Sequence, residues 1–561
     1  MSFNSRLTDL LKKDPRFVDD EGELLIAAVQ DRAWKIDHNL VKLLLSDKEI
    51  KAKFFDEIAG HWVFNLNTFI EYVSQKNFLD NCYTRFRNRI GLTVDDKYLR
   101  ERGDVALAWP YKDCVLEGGQ TGREEKRKEI FFNEVLAEDE INRLLDPKVL
   151  TSFDRYTKQG KKPVHEFKRD KDGIIRENLI IKGNNLLALH SLKNLFGGQV
   201  NLIYVDPPFN TDSDTFGYND SFNHSCWLTF MKNRLQIARD LLSANGSIYV
   251  HLDFNEVHYC KVLMDEIFQR ENFQREIIWR MGWVSGYKTI AKNWIRNHDT
   301  LLFYTKNPDN FVFNKKYLPY PPDYERWGGR KKGQGLAIED VWGIQVGEGI
   351  NSLAVIGFAK EYTGFRTQKP ESLLKRVIEV SSNPGDLVLD FCVGTGTTAA
   401  VAHKLGRQYI GIEQLDYGDK DSVQRLRKVI KGDDAGISKG IGWKGGGEFI
   451  YCELMKHNEA FLERIEIAKT SKELLKIWQE MAEGSFLNWY VNARVPEDAI
   501  KDFEAIGKDD DGLKKQKRLL AELLDKNQLY LNLSEIDDVQ FKVSTEDKAL
   551  NKAFYGKEYN G

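Results

Sequence analysis

The sequence Asn201-Leu-Ile-Tyr-Val-Asp-Pro-Pro-Phe-Asn-Thr211 predicts a short buried strand that ends abruptly in an acid, two prolines and an aromatic residue. Pro207 and Pro208 lack a backbone N–H and have a fixed φ, so they end the strand and stiffen the loop that leaves it. Asp206 and Phe209 are therefore expected at the carboxyl end of a strand, where open α/β sheets bind their ligands.

The side chains of this loop suit chemistry on the exocyclic amine of a nucleobase. Such an amine is a poor nucleophile because its lone pair is delocalised into the ring. A carboxylate and a proline-flanked carbonyl, each accepting one N–H, would draw the nitrogen towards tetrahedral geometry, and an aromatic ring would stack on a base flipped out of its helix. An Asp-Pro pair alone is more often an ordinary turn, but an apolar strand followed by Asp-Pro-Pro-Phe favours the catalytic interpretation.

Length and composition describe a globular protein of several domains. The chain has 561 residues, a net charge of -3 and 42% hydrophobic residues, and its mean hydropathy is -0.49. At roughly 150 residues a domain, three or four domains are expected. No apolar run approaches the roughly 20 residues of a membrane span, and the N-terminus has no signal pattern, so a cytoplasmic location is expected. The six cysteines are far apart, which predicts reduced thiols and neither a disulfide nor a metal site.

Two segments alternate between strand and helix patterns. The first runs from Asn178 to Asp253 and includes the Asp-Pro-Pro-Phe loop. The second runs from Gly364 to Glu413, with a helix that begins at Pro370. Strand, helix and strand joined by short turns are typical of an α/β protein with a parallel, doubly wound, Rossmann-like sheet.

The second segment contains a nucleotide-type binding pattern. A buried strand that ends at Asp390 runs into the turn Phe391-Cys-Val-Gly-Thr-Gly-Thr397, and the strand after the following helix ends in Glu413. Gly394 and Gly396 would let a ligand approach the backbone, and Glu413 would accept hydrogen bonds from ribose hydroxyls. Because position 399 is alanine and the turn has no lysine for a pyrophosphate, S-adenosylmethionine fits better than NAD or ATP.

The segment from Trp279 to Val355 departs from this alternation, although a strand-like run, Leu301 to Tyr304, interrupts it. Between Arg280 and Lys332 there are eleven Lys/Arg residues and four Asp/Glu residues. Basic residues among aromatic ones suit phosphate contact and base stacking, whereas the simpler interpretation is a β-rich insertion whose aromatics form its own core. Seven basic residues are predicted to contact nucleic acid: Arg280, Lys288, Lys292, Arg296, Arg330, Lys331 and Lys332.

Together, these motifs resemble the β-class of DNA amino-methyltransferases, in which the catalytic motif precedes the cofactor motif. In more detail, nearly the whole chain is similar to the modification (Mod) subunits of type III restriction–modification systems. The resemblance is carried by Lys182-Gly-Asn-Asn-Leu-Leu-Ala-Leu-His190, by residues 204–211, by Asn219-Asp-Ser-Phe-Asn-His224, by Trp227-Leu-Thr-Phe-Met-Lys-Asn-Arg234, by Thr367-Gln-Lys-Pro370 and by Ala108-Trp-Pro-Tyr-Lys-Asp113.

The resemblance implies a Rossmann-like methyltransferase sheet with added regions. The expected parts are a helical N-terminal region (1–158), the catalytic half of the methyltransferase domain (159–278), an inserted target-recognition domain (279–357), the cofactor-binding half (358–452) and an α+β C-terminal region (453–561).

The resemblance also implies roles for individual residues. Asp206, Pro207, Pro208 and Phe209 would form the methyl-transfer loop, and an aspartate at its first position points to adenine N6, since cytosine-N4 enzymes more often have serine there. The family usually has Tyr at the position of Phe209 and Phe at that of Cys392, but neither change removes a group that the chemistry requires. Nine residues would bind S-adenosylmethionine: Asp390, Phe391, Gly394, Gly396, Thr397, Glu413, Gln368, Lys369 and Pro370.

The predicted function is adenine-N6 methylation of double-stranded DNA by a homodimer that recruits a restriction (helicase-nuclease) subunit. The alternatives are a solitary adenine-N6 or cytosine-N4 methyltransferase, an RNA methyltransferase, and a non-catalytic DNA-recognition subunit, although a mere scaffold would need neither the intact loop nor the glycine turn. Apolar helices near the N-terminus and from Ser471 to Met481 suggest a dimer surface; otherwise they only close the chain's own core.

Overall fold

The structure, a computed structural model, falls into two compact units. It describes residues 3–18, 24–58, 61–73, 93–94, 97–98, 144–211, 224–282, 292–320, 333–344, 348, 350, 359–365, 367–487, 497–508, 511–525 and 528–560. One unit comprises Met1–Arg89, Pro110–Cys114 and Glu129–Ile141, and the other comprises Ile90–Trp109, Val115–Lys128 and Asn142–Gly561. None of the helices in the described ranges is long and apolar enough to cross a bilayer.

The smaller unit is mainly helical and has its own apolar core. Leu40 and Leu44 lie at helical spacing on one helix and are fully buried together with Phe54 and Phe69. The predicted apolar face of this region is therefore internal. The elements are α1 (Phe3–Leu11), α2 (Ile26–Trp34), α3 (His38–Leu45), α4 (Lys48–Phe54), β1 (Phe55–Ile58), β2 (His61–Phe64) and α5 (Leu66–Val73).

The larger unit is built on a sheet in which eleven strands are described. The strands of this unit are β3 (Thr93–Val94), β4 (Lys97–Tyr98), β5 (Leu150–Thr157), β6 (Gly160–Pro163), β7 (Leu179–Lys182), β8 (Val200–Val205), β9 (Leu242–Leu252), β10 (Phe273–Arg280), β11 (His298–Thr305), β12 (Tyr317–Leu318), β13 (Leu336–Ala337), β14 (Val341–Trp342), β15 (Leu387–Asp390), β16 (Gln408–Glu413) and β17 (Phe449–Leu454). The order of the strands across the large sheet is β14-β10-β11-β9-β8-β15-β16-β7-β17-β5-β6.

The centre of this sheet is parallel, and helices cover it. The six neighbours from β9 to β17 are mutually parallel, so they must be joined by crossovers. The helices are α6 (Asn185–Phe196), α7 (His224–Leu241), α8 (Val257–Phe268), α9 (Glu371–Ser381), α10 (Thr397–Lys404), α11 (Ser422–Lys431), α12 (Ser438–Ile441), α13 (Asn458–Ile467), α14 (Ser471–Gly484), α15 (Glu497–Ile506), α16 (Gly512–Leu523) and α17 (Thr545–Tyr555). The predicted α/β class with a Rossmann-like, doubly wound sheet is confirmed.

The main core lies between one face of the sheet and α9, α10 and α11. Leu202 and Tyr204 point to this face because alternate residues of a strand share a side. They pack with Val388 of the neighbouring strand and with Leu374 and Ala400 of the covering helices. All five residues are almost completely removed from solvent, which makes the sheet a rigid base for the loops at its carboxyl edge.

The sheet continues across two of the predicted domain boundaries. β5 precedes residue 159 and β11 follows residue 279, yet both lie in this sheet, β11 antiparallel to β9. The strand-like run from Leu301 to Tyr304 is therefore part of the central sheet and not an element inside an insertion. Its partner could not be found from the sequence, because an apolar run predicts a strand and not the strand beside it. The division into five parts stays a prediction.

The apolar helix near the C-terminus faces the chain's own core. In α14, Leu474 and Met481 are fully buried among residues of α13, α15 and α16. The hydrophobic surface that suggested a dimer is therefore occupied within the chain, as the simpler interpretation expected. Thr470 caps this helix, because its side chain accepts a hydrogen bond from Glu473 N.

Candidate active site

The two predicted half-sites meet at neighbouring strands. β8, which leads into the Asp-Pro-Pro-Phe loop, pairs in parallel with β15, which leads into the glycine turn. Leu202 lies opposite Val388, and Ile203 lies opposite Leu389. Two segments almost 190 residues apart in the chain thus leave the same edge of the sheet side by side, at the position where the order of strands reverses.

A cleft of about 880 Å³, open solvent included, lies at this edge. Ten of the thirteen residues predicted for catalysis or cofactor binding line it. They are Asp206, Pro207, Pro208, Phe209, Gln368, Lys369, Asp390, Gly394, Thr397 and Glu413. Phe391, Gly396 and Pro370 lie outside its lining.

Asp206 is held by a lysine that connects the two half-sites. Lys369 Nζ lies 2.7 Å and 2.9 Å from the two carboxylate oxygens of Asp206. The same ammonium lies 4.8 Å from the centroid of the Phe209 ring. Lys369 was expected to bind the cofactor, which stays a prediction; in the structure its ammonium group contacts the Asp-Pro-Pro-Phe loop. A carboxylate oxygen that accepts one ammonium hydrogen keeps a further lone pair, so Asp206 can still accept from an amine.

The carbonyl groups of the loop have different surroundings. Trp227 Nε1, on α7, donates a hydrogen bond of 2.7 Å to the carbonyl oxygen of Pro208. Trp227 is fully buried, so this bond fixes the end of the proline pair. Pro207 lines the cleft, and its carbonyl oxygen accepts no hydrogen bond within the described part of the chain. Asp206 and Pro207 therefore offer two adjacent acceptors.

The cofactor side of the cleft is organised by Glu413. Its carboxylate accepts hydrogen bonds from Gly394 N at 2.8 Å and from Leu415 N at 2.9 Å. Burial raises the pKa of this carboxyl, and the two backbone donors act in the opposite direction. Its geometry is fixed before any ligand arrives, and each oxygen keeps a lone pair for a ribose hydroxyl.

Asp390 is the second buried acid of this wall. Thr398 Oγ1 donates to it at 2.6 Å, and Cys392 N donates at 3.0 Å. Burial raises the pKa of Asp390 to about 7, despite these two hydrogen bonds. The wall therefore holds a carboxyl group that a cationic ligand would help to ionise.

The two glycines of the turn have different structural roles. Gly394 has a φ of +51°, and a Cβ built there would meet only Cys392 O at 4.0 Å, because the position faces the cleft. Gly396 has a φ of +83°, but its Cβ would lie 2.8 Å from Ser422 Cβ. Gly394 thus leaves room for a ligand, whereas Gly396 allows α10 and α11 to approach each other.

Comparisons with known proteins agree with this geometry. The family described as "DNA methylase" matches residues 200–417. The family described as "Type III restriction/modification enzyme methylation subunit" matches residues 37–92. The "Probable type III restriction-modification enzyme HindVI Mod subunit" of Haemophilus influenzae is 33% identical over 98% of both chains. The chain belongs to the type III Mod subunits. It is a DNA methyltransferase, with S-adenosylmethionine as its methyl donor.

Two further relatives cover parts of this Mod chain. The type III EcoP15I Mod subunit of Escherichia coli is 32% identical over 24% of this chain and 25% of its own length. The "DNA adenine methyltransferase YhdJ" of Escherichia coli K12 is 28% identical over 45% of this chain and 88% of its own length. Both similarities extend well beyond the short motifs.

The residues of the cleft fit the methyl donor. Glu413 is a fixed acceptor for ribose hydroxyls, Asp390 is an acid that can balance positive charge, and Gly394 leaves the backbone open to a ligand. The rings of Phe365 and Tyr417 contact each other edge to face in the cleft wall, with 4.8 Å between their centroids, and they would contact a purine ring there. These two aromatics escaped prediction, although Tyr417 lies four residues beyond the strand that ends in Glu413.

Three other residues predicted to bind the cofactor make contacts within the protein that hold the surrounding segments in place. The Gln368 side chain accepts from Thr363 N at 2.9 Å and donates to Glu361 O at 2.7 Å, so it holds its own loop together. Pro370 precedes α9, which begins at Glu371 and not at the proline. Phe391 is buried, and its carbonyl oxygen accepts a hydrogen bond of 2.8 Å from Asn185 Nδ2. Their part in cofactor binding stays a prediction.

Three of the seven basic residues predicted to bind DNA lie in the described ranges, and they differ in exposure and ion pairing. Arg280 and Lys292 are exposed to solvent. Arg296 is paired with Asp253 at 3.0 Å and with Asp299 at 2.5 Å, so its charge is balanced within the protein. Lys288, Arg330, Lys331 and Lys332 lie outside the described residues.

Proposed function

We propose that this Mod chain methylates the N6 nitrogen of an adenine flipped out of duplex DNA. The single observation that supports the proposal is the pair of acceptors on one loop: the Asp206 carboxylate and the Pro207 carbonyl, next to the open glycine turn. An exocyclic amine has two N–H groups, and two acceptors at fixed positions match both of them.

The loop activates the amine by orienting its lone pair. When both N–H bonds donate to protein acceptors, the nitrogen lone pair is drawn out of conjugation with the ring and can point along the path of methyl transfer. Bound S-adenosylmethionine supplies a methyl group on a positively charged sulfur. Lys369 keeps the Asp206 carboxylate in place. The nitrogen must release one proton after transfer, and Asp206 is the nearest anionic acceptor in this arrangement.

Phe209 offers a stacking surface for the extruded base. Its ring centroid lies 4.8 Å from the Lys369 ammonium and 5.8 Å from the centroid of the His251 ring. A phenylalanine face is sufficient for stacking, which is insensitive to the hydroxyl that a tyrosine would add. A flipped base would be held between this ring and the acceptor pair.

Adenine is favoured over cytosine by the acid at the first position of the loop. The relative YhdJ, whose name states adenine methylation, is similar to this chain over 88% of its own length. The type III membership supports a restriction subunit as partner and double-stranded DNA as substrate. A homodimer is part of the proposal through the resemblance alone, because the apolar helices are buried in their own cores.

The test is to map modified bases in DNA from a host that expresses the protein. Wild-type protein is expected to place N6-methyladenine at one short sequence, and the Asp206→Ala variant is expected to leave that sequence unmodified. N4-methylcytosine at a single sequence would instead support the cytosine alternative. Unmodified DNA, together with no transfer of labelled methyl groups by the purified wild-type protein, would favour the non-catalytic alternative.

A further inference from the structure

The chain takes an unusual backbone conformation immediately after Phe209. Asn210 has a φ of +60°, in the left-handed region that residues other than glycine rarely adopt. Asparagine tolerates this region better than most residues but still adopts it at a cost. Because the turn follows Phe209 directly, the conformation of Asn210 determines how the end of the methyl-transfer loop leaves the cleft.

A buried acid holds the Asn210 side chain. Asn210 Nδ2 donates a hydrogen bond of 2.6 Å to Glu256 Oε1. Glu256 is fully buried at the start of α8, and its own carbonyl accepts from Cys260 N at 2.8 Å, so its position is fixed by the helix. A side chain anchored in this way can hold its partner in a strained conformation.

The same carboxylate is linked to the helix that supports the prolines. His224 Nδ1, at the first residue of α7, lies 2.8 Å from Glu256 Oε1. Three residues further on, Trp227 donates to Pro208 O. Glu256 Oε2 is buried without a hydrogen-bond partner in the described ranges. An unsatisfied buried carboxylate oxygen lowers stability, which is a reason to look for a role other than folding.

We propose that Glu256 is a positioning residue that holds Asn210 in the left-handed conformation and thereby sets the orientation of Phe209 towards the flipped base. The inference rests on the proposed methyl transfer and extends it to a residue outside the cleft. Glu256 does not line the cleft, and its proposed effect on Phe209 passes through Asn210. The competing explanation is that Glu256 merely stabilises the junction of α7 and α8.

A rescue experiment separates the two explanations. Glu256→Ala is expected to lower kcat about tenfold to a hundredfold while leaving the affinity for S-adenosylmethionine unchanged, because a misplaced loop affects transfer and not the glycine turn. Glycine adopts a φ of +60° without an anchor. Asn210→Gly alone should therefore stay near wild-type activity, and adding it to Glu256→Ala should restore most of the lost kcat.

Two variants serve as controls, with the DNA sequence identified for the wild type as substrate. Glu177→Ala removes another buried carboxylate, which binds Arg155 far from the loop. This variant should change the melting temperature, and Asn210→Gly should not restore any kcat that it loses. Glu256→Gln keeps the Oε1 acceptor and should fold and remain near wild type even if Glu256→Ala does not fold.

The outcomes that would overturn the proposal are distinct from failure of the proposed function. A double variant no more active than Glu256→Ala, or an Asn210→Gly variant with a kcat far below that of the wild type, would show that the backbone conformation is not what Glu256 provides. If Glu256→Ala does not fold, Asn210→Ala takes its place: it loses the anchor and disfavours a φ of +60°, so its kcat should fall while that of Asn210→Gly does not, and equal kcat values would overturn the proposal. A wild-type protein that transfers no methyl group would refute the proposed function, and this inference with it.

Discussion

At the scale of single residues, the ion pair between Asp206 and Lys369 connects the acceptor loop with the cofactor wall. Lys369 lies two residues before α9 and was predicted to bind the cofactor, but its ammonium group contacts Asp206. The sequence pointed to both residues and assigned them to different half-sites. That contact is invisible in the sequence because 163 positions separate the two residues.

The first prediction concerns Asp206. Asp206→Ala should lower the methyl-transfer rate by about 10² to 10⁴, the usual range for losing a group that handles a proton, with nearly unchanged affinity for S-adenosylmethionine. Radiolabelled methyl transfer and calorimetry measure the two quantities. Asp154→Ala, which removes a surface ion pair with Lys161 at the sheet's far end, is the control. Transfer near the wild-type rate by the Asp206 variant would mean that another loop carries the chemistry.

The second prediction separates ligand crowding from backbone strain at Gly394. Gly394→Ala puts a Cβ into the cleft at a φ of +51°, and Gly406→Ala puts one into open space at a φ of +70°. Each should lower the free energy of unfolding by about 1–2 kcal/mol, the cost of the left-handed region. Only the Gly394 variant should also bind S-adenosylmethionine more weakly in calorimetry. Equal affinities in the two folded variants would place the cofactor elsewhere.

The third prediction is a pH dependence from Asp390. Its pKa is raised to about 7 in the folded chain from an ordinary value of 3.8, so the folded state holds a proton that the unfolded state has lost between these values. The stability that this bound proton gives to the folded state is fully present below pH 3.8 and is lost as the pH rises through 7. The protein without cofactor should therefore gain stability at pH 8 from Asp390→Asn. A denaturant titration at pH 5 and pH 8 checks this; an Asn variant less stable at pH 8 contradicts the raised pKa.

The same group predicts proton release on cofactor binding. A positively charged ligand favours the ionised carboxylate, so binding near pH 7 should release part of a proton and tighten between pH 6 and pH 8. Calorimetry in buffers of different ionisation enthalpy measures that proton. Asp390→Asn is expected to remove both effects.

At the scale of elements, the sequence predicted the strands well and their neighbours less well. β8 and β15 are mostly apolar because both faces of a central parallel strand are covered, so composition alone identifies them. Their adjacency comes from the structure and was not predicted. The place of β11 beside β9 did not follow, since its pairing depends on residues about fifty positions away. The hydrogen bond between Asn210 and Glu256 could not be predicted, because nothing in the sequence around either residue indicates the other as its partner.

The fourth prediction concerns the support that α7 gives to the loop. Trp227→Phe keeps a large aromatic ring but removes the hydrogen bond to Pro208 O. The loop should become less ordered, so kcat should fall about tenfold while S-adenosylmethionine affinity stays constant. Trp443→Phe removes a similar bond, to Val429 O at 2.8 Å, away from the cleft and should leave kcat unchanged. Equal kcat values for the two variants would show that this bond has no part in transfer.

At the scale of the whole molecule, the apolar helices give no support to a dimer. Leu44 and Leu474, which were expected to offer hydrophobic surface, are fully buried within their own cores. The helical periodicity was correct, but periodicity predicts only that one face is covered and not by what. The remaining reasons for a dimer are the resemblance to type III Mod subunits and the two tasks of reading a site and holding a flipped base.

The last prediction is that two copies of the chain form the working unit. One copy that reads the sequence can leave the other free to hold the extruded base, and a type III Mod subunit must do both. Light scattering at micromolar concentration should therefore give twice the 64.9 kDa mass of one chain, with and without DNA. A series at rising salt distinguishes a polar interface, which weakens with screening, from an apolar one. Because the described apolar helices are internal, we expect the polar kind; a mass of one chain under all conditions would contradict the dimer itself.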